Sequence, residues 1–301
     1  MNESICIFRK KLLLIINPVS GKKAVIRYIP QIIRCFMDAG YRVTSMVTAA
    51  RGDASDFARL YGAEHDLIVC TGGDGTLNET LCGLAEADIH VPIGYIPCGS
   101  TNDFALSRHL SPDIPTAAEA IAHGAVRRHD VGRFDRSYFS YVAAFGAFSW
   151  LSYTTDQSLK NVLGHTAYIL DGIRDLPKVR PIHMRVTADG AVFEDDYIFG
   201  AIANSTSIAG TIQLPESLVD TCDGLFEVLL IKNPRTLSEF SDTVQAVLGQ
   251  DFRSERLVFL HAADIRCESP AMVEWTVDGE FPGIFNHVHI TPVPGFLQLM
   301  S

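Results

Sequence analysis

The sequence lacks the features that would commit it to several common binding classes. Basic residues are outnumbered, 25 Lys and Arg against 35 Asp and Glu, and the formal charge of −10 denies it the basic footprint that nucleic acid requires. The same deficit argues against simple electrostatic adsorption to an anionic membrane. A membrane contact would need a local patch. Arg174, Lys178 and Arg180 in "GIRDLPKVR" are the candidates, although three scattered cations are more often solvated surface. No C-x-x-C pair occurs among the seven widely spaced cysteines, which argues against zinc. Most of them sit among apolar neighbours, as reduced core residues do. Runs such as Leu12–Ile16 fall far short of the roughly 20 residues that span a bilayer. The start, "MNESICIFRKKLLLIINP", has basic residues before an apolar stretch, as a secretory signal does. That stretch is short, lacks a small-residue cleavage site and runs straight into Asn17-Pro18; it reads as a buried strand. Low-complexity tracts and internal repeats are also missing, so a soluble, cytoplasmic, well-packed protein is expected.

What is present falls into two halves. The first alternates strand and helix signals: "KLLLIIN", then "AVIRYIPQIIRCFMDAG" ending at Gly40 with Pro30 as an irregularity. It continues through "YRVTSMV", "DASDFARLYG", "DLIVC", "TLNETLCGLAEA", "PIGYI" and "PTAAEAIAHG". This is the rhythm of an α/β domain with a parallel sheet. The second half is β-rich, with Asp189-Gly190 between two alternating runs as a hairpin signal. Helical stretches are expected near 161–176 and 237–248. The fold class is therefore α/β plus β. An α/β domain is expected over 1–129, with 292–301 packing back on it, and a β-rich domain over 130–291.

Three strands of the first half end in polar loops: "NPVSGKK", "TGGDGT" and "PCGSTND". Ligands of such sheets gather at the carboxyl ends of the strands. "NPVSGKK" is no Walker A loop, since no glycine lies five residues before Gly21, and alone it reads as a strand-to-helix turn. "GGDGT" is more specific. Gly72, Gly73 and Gly75 allow close backbone approach, and Thr76 or Asn78 is expected to cap the helix that follows. Asp74 is out of place beside phosphate unless a divalent cation sits between them. In "IPCGSTNDFA", Ser100, Thr101, Asn102 and Asp103 form a third polar loop, with Thr101 or Asn102 as candidate caps.

"NPVSG", "GGDGTLNE" and "IPCGSTNDFA", in this order and spacing, resemble the soluble bacterial diacylglycerol kinases and YegS/BmrU-like lipid kinases. These are relatives of sphingosine and ceramide kinases and, more remotely, of NAD kinase and phosphofructokinase. The resemblance continues through "GHTAYILDGIRDLPKV", "NSTSIAG", "DGLFEV" and "VDGE". It implies a kinase dependent on ATP and Mg²⁺ that acts on a lipid hydroxyl. A three-layer N-terminal domain and an antiparallel, sandwich-like C-terminal domain would have the active site in the cleft between them.

Carried over by motif, Asn17, Pro18, Val19, Ser20 and Gly21 contact ATP, as does Thr48. Gly72, Gly73, Asp74, Gly75, Thr76, Leu77, Asn78 and Glu79 line the phosphates with Ser100 close by; Ser100 replaces the family's usual threonine and keeps the hydroxyl. The family's metal segment corresponds to "PESLVDTCDGLF". There Asp223 falls on the ligand aspartate, while Asp220 and Leu225 fall on positions that coordinate through backbone carbonyls. Cys222 replaces the acid usually found before Asp223. Without the resemblance, Asp223-Gly224 and Asp278-Gly279 would both be read as turns. With it, Glu280 is the general base for the acceptor hydroxyl, Asp278 supports the loop or the metal's water shell, and Asp74 links nucleotide-bound Mg²⁺ to the Asp223 region through water. A lipid substrate met at the inner membrane face, peripherally and without an anchor, and a homodimer are further implications.

Two other constellations read as structure. His287 and His289 share a strand face but have no evident third ligand. Tyr138, Phe139, Tyr141, Phe145, Phe148 and Trp150 suit the core of a β domain better than a lipid groove. The rival functions are a kinase for a soluble acceptor such as NAD, and a catalytically silent lipid-binding protein.

Overall fold

The computed structural model describes residues 10–100, 102–146, 180–208 and 212–301. The helix expected over 161–176, together with Thr101, Phe148, Trp150, Arg174, Lys178 and the "AG" of "NSTSIAG", lies outside the described residues. The chain divides into two compact units. One comprises Met1–Val131, Ser137–Ser140 and Val293–Ser301, the other Gly132–Arg136 and Tyr141–Pro292.

In the first unit, β1 (Lys10–Ile16) is buried from Leu12 onwards on both of its faces. That is the pattern of a strand covered by helices on either side of a parallel sheet. β2 (Tyr41–Val47) and β3 (Leu67–Gly72) flank it, and β4 (Ile93–Pro97) pairs with β3, all parallel, giving the order β2-β1-β3-β4. The chain steps outward from β1 to β2 and then returns to the far side of β1. β1 and β3 therefore border a topological switch point, where their carboxyl ends diverge to leave a crevice. α1 (Ile29–Asp38) packs with α5 (Ile114–His123), and α2 (Asp53–Tyr61) with α3 (Asp74–Glu86). Leu12, Leu14 and Ile16 meet Ile32, Phe36 and Ile121 in one continuous core. The short α4 (Asp103–Ser107) lies between β4 and α5, and β5 (Val126–Phe134) and β6 (Ser137–Phe139) follow α5.

Pro30 starts α1 rather than disturbing it. Residues Ser20–Tyr28 form 3-10 turns, and Pro30 occupies the first turn of the α-helix, where its missing N–H costs nothing. Gly40 ends that segment with φ +88°, as a C-terminal glycine should. The last residues complete this unit. Leu299 pairs with Ile93 in parallel, Ser301 and Ala125 exchange backbone hydrogen bonds of 3.1 and 3.3 Å, and the Gly295 N–H donates to the buried Asp130 at 2.7 Å.

The second unit is antiparallel in all its described pairings. β7 (Val142–Gly146) and β8 (Ile182–Ala188) both lie between two long strands, β9 (Ala191–Ala203) and β14 (Ile265–Val277). β8 pairs with one half of each long strand and β7 with the other. β12 (Phe226–Lys232) and β13 (Leu257–Ala262) extend the sheet beyond β9, and β15 (Glu280–Met300) pairs with β14. Two short strands, β10 (Ser207–Ile208) and β11 (Ile212–Gln213), pair separately. The hairpin expected at Asp189-Gly190 is present, with φ +47° and +87° and Ala188 opposite Ala191. So is the second helix, α6 (Leu237–Leu248), capped by Thr236.

Phe145 stacks at 5.0 Å on the buried Trp275, and Phe134 meets both Trp275 and Phe285. Phe139, Tyr141 and Phe145 are at most 3% exposed, so these three aromatics are core. His287 and His289 each lie near an acid, Glu268 at 4.0 Å and Asp264 at 3.3 Å, and no metal-holding cluster occurs among the described residues. Arg180 is exposed. No helix among the described residues is long and apolar enough to cross a membrane.

α2 and α3 approach so closely at Gly83 that a β-carbon there would overlap the Ser55 carbonyl oxygen. Gly83→Val forces the helices apart and is expected to destabilise the protein by about 2–3 kcal/mol. Thermal unfolding followed by circular dichroism checks this; an unchanged melting temperature would contradict the close approach.

Candidate functional site

The three polar loops leave adjacent strands and are bound to one another before any ligand is considered. Asn17 turns its side chain back on its own loop, with Oδ1 accepting from the Val19 N–H at 3.2 Å, and donates through Nδ2 to Thr76 Oγ1 at 3.0 Å. Ser20 Oγ donates to the Asn17 carbonyl. Gly21 has φ +50°, and a β-carbon on it would overlap the Cys98 carbonyl oxygen. The first loop therefore lies directly on the third. The second loop touches the third as closely: a β-carbon on Gly99 would lie 2.6 Å from Gly73 Cα. Thr48 joins from β2 through its N–H to the Ile16 carbonyl at 2.9 Å, and Glu79 on α3 accepts the Gly52 N–H at 2.9 Å. Asn78 donates to the Tyr138 carbonyl at 3.0 Å.

Asp74 has a structural use not visible in its motif. Its two carboxylate oxygens accept the N–H groups of Asp103 at 2.9 Å and Phe104 at 3.3 Å. These are the first amides of α4, so an acid from another loop caps this helix and meets the positive end of its dipole. Asn102 occupies the N-cap position but cannot serve. It is left-handed, with φ +55°, and its side chain is bonded to Gly99 and Tyr95. The expected caps of α3 are likewise not used: the N-cap is Gly73, which has no side chain with which to cap the helix. Thr76 and Asn78 point to other partners. Leu77, expected along the phosphates, is fully buried, and Gly72 belongs to β3. Ser100 and Val19 are exposed, and Pro18 is half-buried.

Asp103, expected only as a member of the third polar loop, carries a further signal. It is 5% exposed, its Oδ1 has no hydrogen-bond partner among the described residues, and burial pushes its pKa up. A buried carboxyl with an unused oxygen is costly unless something else engages it. The only hint in the sequence was an acid directly after Asn102. Burial also pushes the Cys98 thiol up to about 11 and the Cys70 thiol up to about 12.

In the second unit, Asp220, Asp223 and Leu225 share one loop before β12. Asp220 accepts the Cys222 N–H at 3.0 Å and Asp223 accepts the Leu225 N–H at 2.9 Å, turning the loop tightly about Gly224 at φ +77°. These three residues, with Glu216 and His261, line a cavity of about 500 Å³. His261 Nε2 lies 2.7 Å from the Leu218 carbonyl and ties the loop to β13. Carboxylates and carbonyls are the donors a hard divalent cation takes, and magnesium commonly uses only one or two carboxylates. The donor set therefore fits such an ion, with Cys222 exposed beside it. Glu280 sits on a different element, directly after the Asp278-Gly279 turn that joins β14 to β15. Both turn residues have positive φ, +47° and +81°, and Val277 pairs with Glu280. This is the two-residue turn that Asp-Gly favours. Asp278 is 2% exposed and Glu280 is exposed.

This chain is similar to known proteins along most of its length. A family model described as "Diacylglycerol kinase catalytic domain" matches residues 11–134, and one described as "YegS C-terminal NAD kinase beta sandwich-like domain" matches residues 146–301. The diacylglycerol kinase of Bacillus subtilis (strain 168) is 30% identical over 292 residues, covering 93% of this chain and 96% of the relative. That of Staphylococcus epidermidis (strain ATCC 12228 / FDA PCI 1200) is 31% identical over 277 residues, covering 91% and 87%. The crystal structure of a diacylglycerol kinase from Bacillus anthracis str. Sterne aligns with a TM-score of 0.75 at 23% identity over 97% of both chains. Another structure from the same strain reaches 0.78 at 25% identity, also over 97% of both.

Gly21→Ala tests the binding of loop to loop. Left-handed strain and overlap with Cys98 together are expected to cost about 2–4 kcal/mol, and to speed amide hydrogen exchange at Gly99 and Asp103. Unaltered exchange there would show that the first and third loops do not depend on each other.

Proposed function

The chain belongs to the diacylglycerol kinase catalytic-domain family, with a C-terminal domain of the YegS type, and on that premise we propose that it is a lipid kinase that uses ATP and Mg²⁺ to phosphorylate the hydroxyl of diacylglycerol or a similar neutral lipid. The observation that carries the reading is the start of α3. A glycine-rich turn leads from the end of β3, beside the switch point, into a helix whose N-cap, Gly73, has no side chain with which to cap it. Its first amides and dipole suit a phosphate group. Asn17–Gly21, Thr48, Gly73–Thr76, Asn78, Glu79 and Ser100 are the residues we assign to the nucleotide.

An alcohol is a poor nucleophile at neutral pH. Glu280 takes the proton of the acceptor hydroxyl, and the freed oxygen bonds to the γ-phosphorus as the bond to the leaving diphosphate oxygen breaks. The products are phosphatidic acid, or its analogue, and ADP. Asp223, with the carbonyls of Asp220 and Leu225, would hold the cation of the second unit. Bound magnesium would supply charge neutralisation for the phosphate oxygens. The acceptor is met at a membrane surface.

Purified protein, Mg²⁺ and γ-labelled ATP are incubated with mixed micelles carrying a panel of lipid alcohols, and with NAD in parallel. Label is expected in phosphatidic acid, falling about 10²–10⁴-fold in Glu280→Gln. Preferential labelling of NAD would reject the lipid acceptor. An absence of labelled product despite ATP binding would reject the kinase.

A further inference from the structure

We infer that Asp278 is the positioning residue for Glu280, fixing the base by clamping the β14–β15 turn onto the start of β7; this rests on the reading of Glu280 as the base. A two-residue hairpin turn needs only positive φ at both positions, and Asn-Gly would satisfy it without charge. Such turns usually stand in solvent, yet Asp278 is 2% exposed. A carboxylate taken out of water needs compensation, and here it is specific. Asp278 Oδ1 accepts the N–H groups of both Tyr141 and Val142 at 3.0 Å, and the Asp278 N–H donates to the Val142 carbonyl at 2.9 Å.

These bonds add a further step to an existing ladder. Trp275, Thr276 and Val277 already pair with Phe145, Ala144 and Ala143. On its other side β7 is held by β9 through Val142 opposite Ala203, and the Tyr141 carbonyl accepts the Asn204 N–H at 2.9 Å. The turn is thus attached to a strand that is itself fixed along both edges. Glu280 follows two residues later, in register with Val277. A base works only within hydrogen-bond reach of its proton, and a misplacement of about 1 Å can cost roughly 10²-fold.

The test separates the clamp from the charge. Asp278→Asn keeps an oxygen acceptor and tolerates left-handed φ; Asp278→Gly keeps the φ and removes the acceptor. Each is compared with wild type, Glu280→Gln and the double variant Asp278→Gly/Glu280→Gln for kcat, KM for ATP and melting temperature. We expect Asp278→Gly to lower kcat about 10–100-fold with KM for ATP within about threefold, and Asp278→Asn to stay within about fivefold of wild type. In the double variant, loss of the acceptor should lower kcat little below Glu280→Gln alone, because a positioning residue acts through the base. Wild-type kcat in Asp278→Gly, or additive losses in the double variant, would overturn the inference. So would Asp278→Asn as inactive as Glu280→Gln, which would mean that the charge itself is needed. Should Asp278→Gly fail to fold, Asp278→Asn decides. Full activity in Glu280→Gln is a separate result and removes the base assignment instead.

Discussion

Hydrogen bonding in the first unit does not stop where its strands stop, and the arrangement of its loops depends on that. The Asn17 N–H donates to the Thr71 carbonyl, Thr48 to Ile16, and Cys98 to Gly72. Each bond adds a rung at or beyond the end of a parallel pairing. Register is strongly specified where one face of a strand is buried, so loops that inherit it start from fixed points. Gly21 then meets Cys98, and Gly99 meets Gly73, main chain against main chain. A β-carbon at the tightest of these contacts would push the strand ends apart. The glycines of the three motifs serve this assembly as well as any ligand.

A second habit is common to both units. Aspartate carboxylates repeatedly accept backbone N–H groups from distant parts of the chain. Asp74 holds the start of α4, Asp130 holds Gly295, Asp189 holds Ala263 and Asp264, and Asp278 holds Tyr141 and Val142. A short carboxylate can take two donors without adding bulk, and hydrogen bonds to a charged acceptor are stronger than neutral ones. Some of the acidic excess thus answers to main-chain donors. That is a more local explanation for these residues than solubility or partner selection.

Period and punctuation made much of the fold legible. The apolar run of β1, the Asp189-Gly190 turn and the amphipathic stretch of α6 follow from residues close in sequence. The grouping of three polar loops at one sheet edge was also accessible, because alternating strands and helices imply a parallel sheet. What could not be read depends on partners far along the chain. Asp74 caps a helix that begins 29 residues later, and Asp278 binds amides 136 and 137 residues earlier. Neither distance leaves a periodic trace. Pro30 misled for a different reason. The apolar pattern continues through it, while the missing N–H permits a helix to begin there as readily as to bend. Gly83 went unnoticed because glycine within a helix resembles a weakness until the neighbouring helix is known.

The path of the chain has a consequence for synthesis. Val293–Ser301 belongs to the first unit although 141–292 belongs to the second, and Leu299 supplies a neighbour for Ile93. At about 5–20 residues per second, the ribosome would take on the order of 10–30 s to make the intervening segment. During that interval the nascent first unit lacks its closing strand. The flank of β4 that Leu299 later occupies is then open to pairing with other chains, as unprotected sheet edges are. That flank stays open until Val293–Ser301 has emerged.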